Sequence, residues 1–287
     1  MNRSTEPPTL GRLLASGTAR LSEVTDTPRL DAEWLLAHAL GTTRGQLLGR
    51  LNEPSPPTLF DKLLDRRAKW EPLAYVLGEW EFFSLPFFVE APVLVPRPET
   101  EHLVEATLTF LPESAASTVC ELGVGSGCVS VTIAKHRTEI RITGVDIRPA
   151  NIELARRNAE RHRVLDRLEL REGDLFAALR PGDGPFDAIV SNPPYVEDSA
   201  WVELTPSIRE YEDPVALLAG PDGLSVVRRI VDEAPAHLKP GGLLALELGL
   251  GQYEAVSEML RAAGFVEIGC IRDLAGIQRI ITARRST

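Results

Sequence analysis

Asn192, Pro193, Pro194 and Tyr195 lie in the stretch "SNPPY", directly after the apolar run "FDAIV". Proline fixes φ and lacks an N–H, so this stretch is a rigid corner at a strand end rather than a continuing central strand. Asn192 offers a side-chain amide oxygen and Pro193 a carbonyl. Two acceptors on a stiff frame can take both hydrogens of a planar –NH2 group, while Tyr195 stacks against its plane. Hydroxyls and thiols cannot fill both acceptors, so the corner suits an exocyclic amine or a carboxamide nitrogen. The plainer alternative is a proline-rich turn that only ends a strand.

Three further motifs lie upstream. In "CELGVGSGC" an apolar strand ends at Leu122, and Gly123, Gly125 and Gly127 follow before a helix begins. Such glycines permit positive φ and let a ligand approach the backbone of Gly123, Val124, Gly125, Ser126 and Gly127. G-x-G-x-G departs from the G-x-G-x-x-G loop that cradles a pyrophosphate. With the acidic Glu121 before it, the loop suits a ligand without phosphate that carries a positively charged amino group. Asp146 ends the next strand, in "TGVDIRPA", about 20 residues beyond the glycines, where a carboxylate accepts ribose hydroxyls. It could also cap the helix that follows. Asp174 and Leu175, in "REGDLFAAL", end a third strand and are placed to face an adenine ring, although Asp174 too could be a cap. A glycine loop, a ribose carboxylate and no phosphate-binding lysine together point to S-adenosylmethionine, with S-adenosylhomocysteine as product.

Elements of two styles must position these residues. Before about residue 80, apolar residues recur at helical spacing in "TLGRLLASGTARL", "PRLDAEWLLAHAL" and "TLFDKLLDRRAKW", which predicts a small helical bundle over residues 1–78. Residues 79–97 form a Phe- and Pro-rich hinge, expected to contain a hairpin. Over residues 98–287, strand candidates alternate with helices: "STVCELGV", "RITGVDI", "LELREGD", "FDAIVSN", "GGLLALELG", "FVEIGCIRD" and "QRIITARR". That alternation predicts an α/β domain with a mostly parallel, Rossmann-like sheet covered on both faces. The connection "LAGI" is too short for a crossover, so the last strand runs antiparallel.

The chain has 287 residues and a formal net charge of −10, an acidic balance that argues against a protein living on phosphate contacts. Its N-terminus lacks the apolar core of a signal peptide, and no apolar run is long enough to span a membrane. Three cysteines without CxxC pairing and five scattered histidines give no metal-ligand spacing. The expectation is a soluble, cytoplasmic, metal-free protein.

Taken as a set, "EPLAYVLGEWEFFSLPFFV", "VLVPRPETE", "ELGVGSGC", "SNPPYV", "DPVALLAGPDGL" and "DLAGIQRI" resemble the PrmC/HemK family of peptide chain release factor protein-(glutamine-N5) methyltransferases. The resemblance spans nearly the whole chain and includes the helical N-terminal region. It implies a class I methyltransferase fold with seven strands, and methyl transfer from S-adenosylmethionine to the glutamine of the GGQ loop in release factors. The helical domain would grip that protein substrate, and the enzyme is expected to be a monomer. By position, Gly123, Gly125 and Gly127 would line the cofactor, Asp146 would hold its ribose, and Asn192 to Tyr195 would hold the glutamine. Some members carry an aromatic residue where Leu175 stands, which loosens the adenine assignment. Two related chemistries use the same corner. Ribosomal-protein glutamine methyltransferases carry a serine after the hinge arginine, whereas this chain reads Arg97, Pro98, Glu99. Adenine-N6 type enzymes must hold a charged nucleic acid backbone, which the acidic composition disfavours.

Overall fold

In the computed structural model, which describes residues 7–56 and 58–287, the chain falls into two units. One takes in the chain up to Gly78 together with Thr205–Tyr211, the other Glu79–Leu204 with Glu212–Thr287. The first unit contains α1 (Leu10–Arg20), α2 (Pro28–Ala39), α3 (Arg44–Leu48), α4 (Phe60–Arg67) and α5 (Leu73–Leu77). Leu10, Leu14, Leu35, Leu36, Phe60 and Leu64 recur at helical spacing and close into one buried cluster. The short helices α3 and α5 go beyond the sequence expectation, being too brief to show a period. Residues 205–211 interrupt the second half of the sequence yet pack with this bundle. There the Ser207 hydroxyl donates to the Trp70 carbonyl at 2.6 Å, and the Tyr211 hydroxyl to the Lys69 carbonyl at 2.8 Å.

The second unit begins with an antiparallel hairpin, β1 (Glu79–Phe82) and β2 (Leu85–Phe88). Phe82 and Phe87 of this hairpin are buried in the core of the second unit, so the expected hinge is part of that unit's packing. Then follow α6 (Glu101–Phe110), β3 (Ser117–Leu122), α7 (Cys128–His136), β4 (Ile140–Asp146), α8 (Pro149–Arg161), β5 (Leu168–Glu172) and β6 (Phe186–Ser191). After α9 (Pro206–Arg209), which belongs to the first unit, come α10 (Ser225–His237), β7 (Leu238–Glu247), α11 (Tyr253–Ala262), β8 (Phe265–Arg272) and β9 (Gln278–Arg285). Helix α6 is absent from the sequence expectation.

The sheet order is β5-β4-β3-β6-β7-β9-β8, parallel except for β9, which runs antiparallel to both neighbours. Successive strand residues point to opposite faces. Val119, Ala188, Val190, Leu243 and Ala245 pack on one side, and Cys120, Leu122, Ile189, Leu244 and Leu246 on the other. Burial on both faces explains why these strands read as continuous apolar runs. The order reverses between β3 and β6, and open α/β sheets bind ligands in the crevice at such a switch point. Among the described residues no helix is long and apolar enough to cross a membrane, and no group of His, Cys, Asp and Glu is placed to hold a metal.

Candidate active site

Parallel register brings four loops to one edge of the sheet. Leu122 is level with Val145 of β4 and Ser191 of β6, and Asp146 with Glu172 of β5. The loops that start at Gly123, Ile147, Gly173 and Asn192 therefore emerge side by side. A buried hydrogen bond from the Ser191 hydroxyl to the Leu122 carbonyl, 2.6 Å, fixes the ends of β3 and β6 together.

Between these loops lies a cleft of about 370 Å³, within the roughly 300–1,000 Å³ range of small-molecule pockets. Gly123, Gly125, Asp146, Asp174, Leu175, Asn192 and Pro194 line it, so these seven sequence-derived candidates meet at one place. Asp146 is 6% exposed. Its Oδ2 accepts the Gly125 N–H at 2.9 Å, and its Oδ1 accepts the Arg148 N–H at 2.9 Å and the Asn151 amide at 3.0 Å. One oxygen therefore organises the start of α8, and the other ties in the glycine loop. A carboxylate offers about four acceptor positions, which leaves capacity for a ligand hydroxyl.

The three glycines have different tasks. All adopt positive φ, 76°, 53° and 81° for Gly123, Gly125 and Gly127. A side chain at Gly125 would meet no protein atom within 4 Å, and it would stand in the approach to the cleft wall. At Gly127 a Cβ would lie 3.0 Å from the Cβ of Ala155 in α8, so this glycine serves helix packing and does not line the cleft.

Glu121, Val124 and Ser126 are buried and also lie outside the cleft lining. Glu121, expected beside a ligand ammonium, instead accepts the Ser130 N–H at 3.0 Å and the Ser130 hydroxyl, at the start of α7. Burial pushes its carboxyl up to about 8, against the lowering effect of the Ser130 bonds. Asp174 does not cap the turn that follows it, because its Oδ2 pairs with the Arg229 guanidinium at 2.8 Å.

Pro193 and Tyr195 lie outside the cleft lining, in the corner beside it. The Tyr195 carbonyl accepts the Gln252 amide at 3.0 Å, and a Cβ at Gly223 would fall 2.4 Å from that carbonyl. Gln252 and the bare Gly223 backbone thus clamp the corner. Burial raises the Tyr195 phenol to about 12. The Asn192 amide donates through Nδ2 to the Thr100 hydroxyl at 3.1 Å, while among the described residues no donor reaches its Oδ1 or the Pro193 carbonyl.

Several wall residues escaped the motif reading. Ile147, half exposed, together with Leu94, Pro214, Val215, Ala216 and Leu218, makes the cleft mainly apolar. The segment carrying the last four begins at Asp213. Asp213 is fixed by a fork of bonds from Arg148, 2.6 and 3.1 Å, and by its N–H on the Pro92 carbonyl at 2.9 Å. Next to it, buried Glu212 pairs with Arg97 at 2.6 Å. The signal for Asp213 to Leu218 was the stretch "DPVALLAGPDGL", whose turn residues gave no chemistry by themselves.

The donor set fits S-adenosylmethionine: a carboxylate for hydroxyls, apolar walls for a base, and an open glycine backbone. The two cleft arginines, Arg148 and Arg229, are each paired with an aspartate, so neither is free for a phosphate. Such a sheet with such a cleft defines a class I methyltransferase.

Comparison with known proteins agrees. Residues 12–78 match the family model of the PrmC N-terminal domain, and residues 101–207 that of the methyltransferase small domain. The release factor glutamine methyltransferase of Geobacter sulfurreducens is 45% identical over 262 residues, 90% of either chain. Its namesake from Rhodopirellula baltica is 39% identical over 270 residues, 91% of this chain and 90% of the relative. A crystal structure of a methyltransferase from Pyrococcus furiosus, 20% identical, superposes with a TM-score of 0.53 over 72% of this chain and 91% of that one, a likeness of fold. The chain belongs to the release factor glutamine methyltransferase family.

Proposed function

We propose that this protein transfers the methyl group of S-adenosylmethionine to the side-chain amide nitrogen of the GGQ glutamine in peptide chain release factors. The observation that carries the reading is the unclaimed Asn192 Oδ1, on a residue that lines the cleft, together with the unclaimed Pro193 carbonyl in the corner beside it. Asp146 would hold the cofactor's ribose, Ile147, Leu175 and Val215 its adenine, and Gly123 and Gly125 its amino-acid arm. When bound, the cofactor supplies a methyl carbon activated by a sulfonium and leaves as a neutral thioether.

The work left to the protein is alignment. A carboxamide nitrogen is a weak nucleophile because its lone pair is delocalised into the carbonyl. Accepting both its N–H bonds fixes its position and direction, an effect worth up to roughly 7–11 kcal/mol in favourable cases. The same acceptors push density onto nitrogen as charge develops there. The corner itself carries no carboxylate or histidine, so the departing proton goes to water. The helical unit, which carries none of the motifs that hold cofactor or amide nitrogen, grips the release factor. Such a substrate places the enzyme in the cytoplasm.

Incubation with isotopically labelled S-adenosylmethionine and purified release factor, followed by mass-spectrometric mapping, tests this. Label on the GGQ glutamine is expected. Label on a ribosomal protein or a nucleic acid base, with none on release factor, overturns it.

A further inference from the structure

We infer that Thr100 and Glu247 are positioning residues that decide which end of the Asn192 amide faces the substrate nitrogen. The inference rests on the reading of Asn192 as an acceptor for that nitrogen. Ser191 of β6 is level with Leu246 of β7, so Glu247 ends its strand alongside Asn192. Thr100 precedes α6, and both Thr100 and Glu247 are almost fully buried. The Thr100 hydroxyl lies 2.6 Å from Glu247 Oε2 and 3.1 Å from Asn192 Nδ2.

A hydroxyl has one proton to give, and a carboxylate can only accept. With Glu247 ionised, the Thr100 proton goes to it, and the hydroxyl oxygen is left to accept from Asn192. The amide must then turn its NH2 toward Thr100 and its oxygen away, as a substrate –NH2 requires. With Glu247 protonated, the Thr100 proton is released and can be given to Asn192 Oδ1. The flipped amide would present an NH2 to an NH2, with no acceptor between them. Glu99, Arg97, Arg279 and the Tyr195 phenol surround the carboxyl. Burial raises Glu247 to about 7, with Glu99 adding to the rise and the Thr100 bond and both arginines opposing it.

Four variants test the relay: Thr100→Val, Thr100→Ser, Glu247→Gln and Asn192→Ala. Thr100→Val should lower kcat roughly tenfold or more, the scale of one lost oriented hydrogen bond, and Glu247→Gln, whose amide can either accept from or donate to the Thr100 hydroxyl, should lower it less, each with cofactor affinity within about twofold of wild type. Thr100→Ser should restore kcat to within roughly threefold, because the hydroxyl alone carries the relay. In wild type kcat should rise with pH through about 7, and Glu247→Gln should lack that limb. Thr100→Val added to Asn192→Ala should cost nothing further, since both act through one amide. An unchanged kcat in Thr100→Val, an additive loss in the double variant, or a parallel fall in cofactor affinity and melting temperature would each overturn the relay. Near wild-type turnover by Asn192→Ala alone would instead remove the acceptor reading on which the relay rests.

Discussion

The Asp146 carboxylate holds the Gly125 N–H at 2.9 Å, so the end of β4 fixes the glycine loop that follows β3. One residue thereby shapes two walls of the cleft. Asp146→Ala is expected to weaken cofactor binding by roughly 1.5–3 kcal/mol, or about 10–150-fold, the scale of hydrogen bonds to a charged acceptor. Calorimetry on the folded variant checks this, and unchanged affinity would remove the ribose assignment.

Gly125 and Gly127 separate binding from folding. Alanine at either pays about 1–2 kcal/mol for a left-handed backbone. At Gly127 the new methyl also presses on Ala155, so Gly127→Ala should lower the melting temperature more than Gly125→Ala. Gly125→Ala should show the larger loss of cofactor affinity for its loss of stability. Paired melts and titrations of the two variants decide the matter.

Asn192→Ala should abolish most transfer, with kcat down roughly 100-fold or more if both alignment and the amide oxygen are lost, and with cofactor affinity little changed. Asn192→Asp keeps the shape and an oxygen but loses the donor that reaches Thr100. It also brings a second carboxylate to a hydroxyl already committed to Glu247. Its kcat should therefore be as low as that of the alanine variant, read by single-turnover methylation of release factor.

Glu121 makes stability depend on pH. Its folded carboxyl titrates at about 8 against an ordinary value of 4.5. Between those values the folded chain keeps a proton that the unfolded chain has lost, so the contribution of Glu121 to stability is greatest below 4.5 and declines as pH rises toward 8. Glu247, raised to about 7, contributes in the same direction. Thermal melts from pH 5 to 8 should therefore fall more steeply in wild type than in Glu121→Gln, which keeps an acceptor for Ser130 but has no charge to form.

A chain beginning at Glu79 retains the core and cleft of the second unit. It should bind cofactor within a few-fold of the full protein and methylate release factor poorly. Residues 205–211 would lose the Trp70 and Lys69 carbonyls that hold Ser207 and Tyr211, so this segment should become the most protease-sensitive part of the fragment. Equal activity of the fragment on intact release factor would argue against a gripping role for the helical unit.

The sequence by itself determined the seven strands, their alternation with helices and the antiparallel last strand, because period, breaker residues and connection length are local properties. It also marked Gly125, Asp146 and Asn192, whose types and strand-end positions carry a chemical meaning before any folding. Only the tertiary structure decided what each candidate touches. Glu121 and Gly127 belong to the same motif as Gly125, yet Glu121 of β3 bonds the start of α7 and Gly127 sits against α8. Asn192 and Glu247 lie 92 and 147 residues beyond Thr100 in the chain, and no spacing rule links the three. Their hydrogen bonds exist because β6 and β7 pair in parallel register and α6 begins where both strands end. Pairing of distant segments is a global outcome of burying two apolar faces of one sheet, and it is not written in any local stretch.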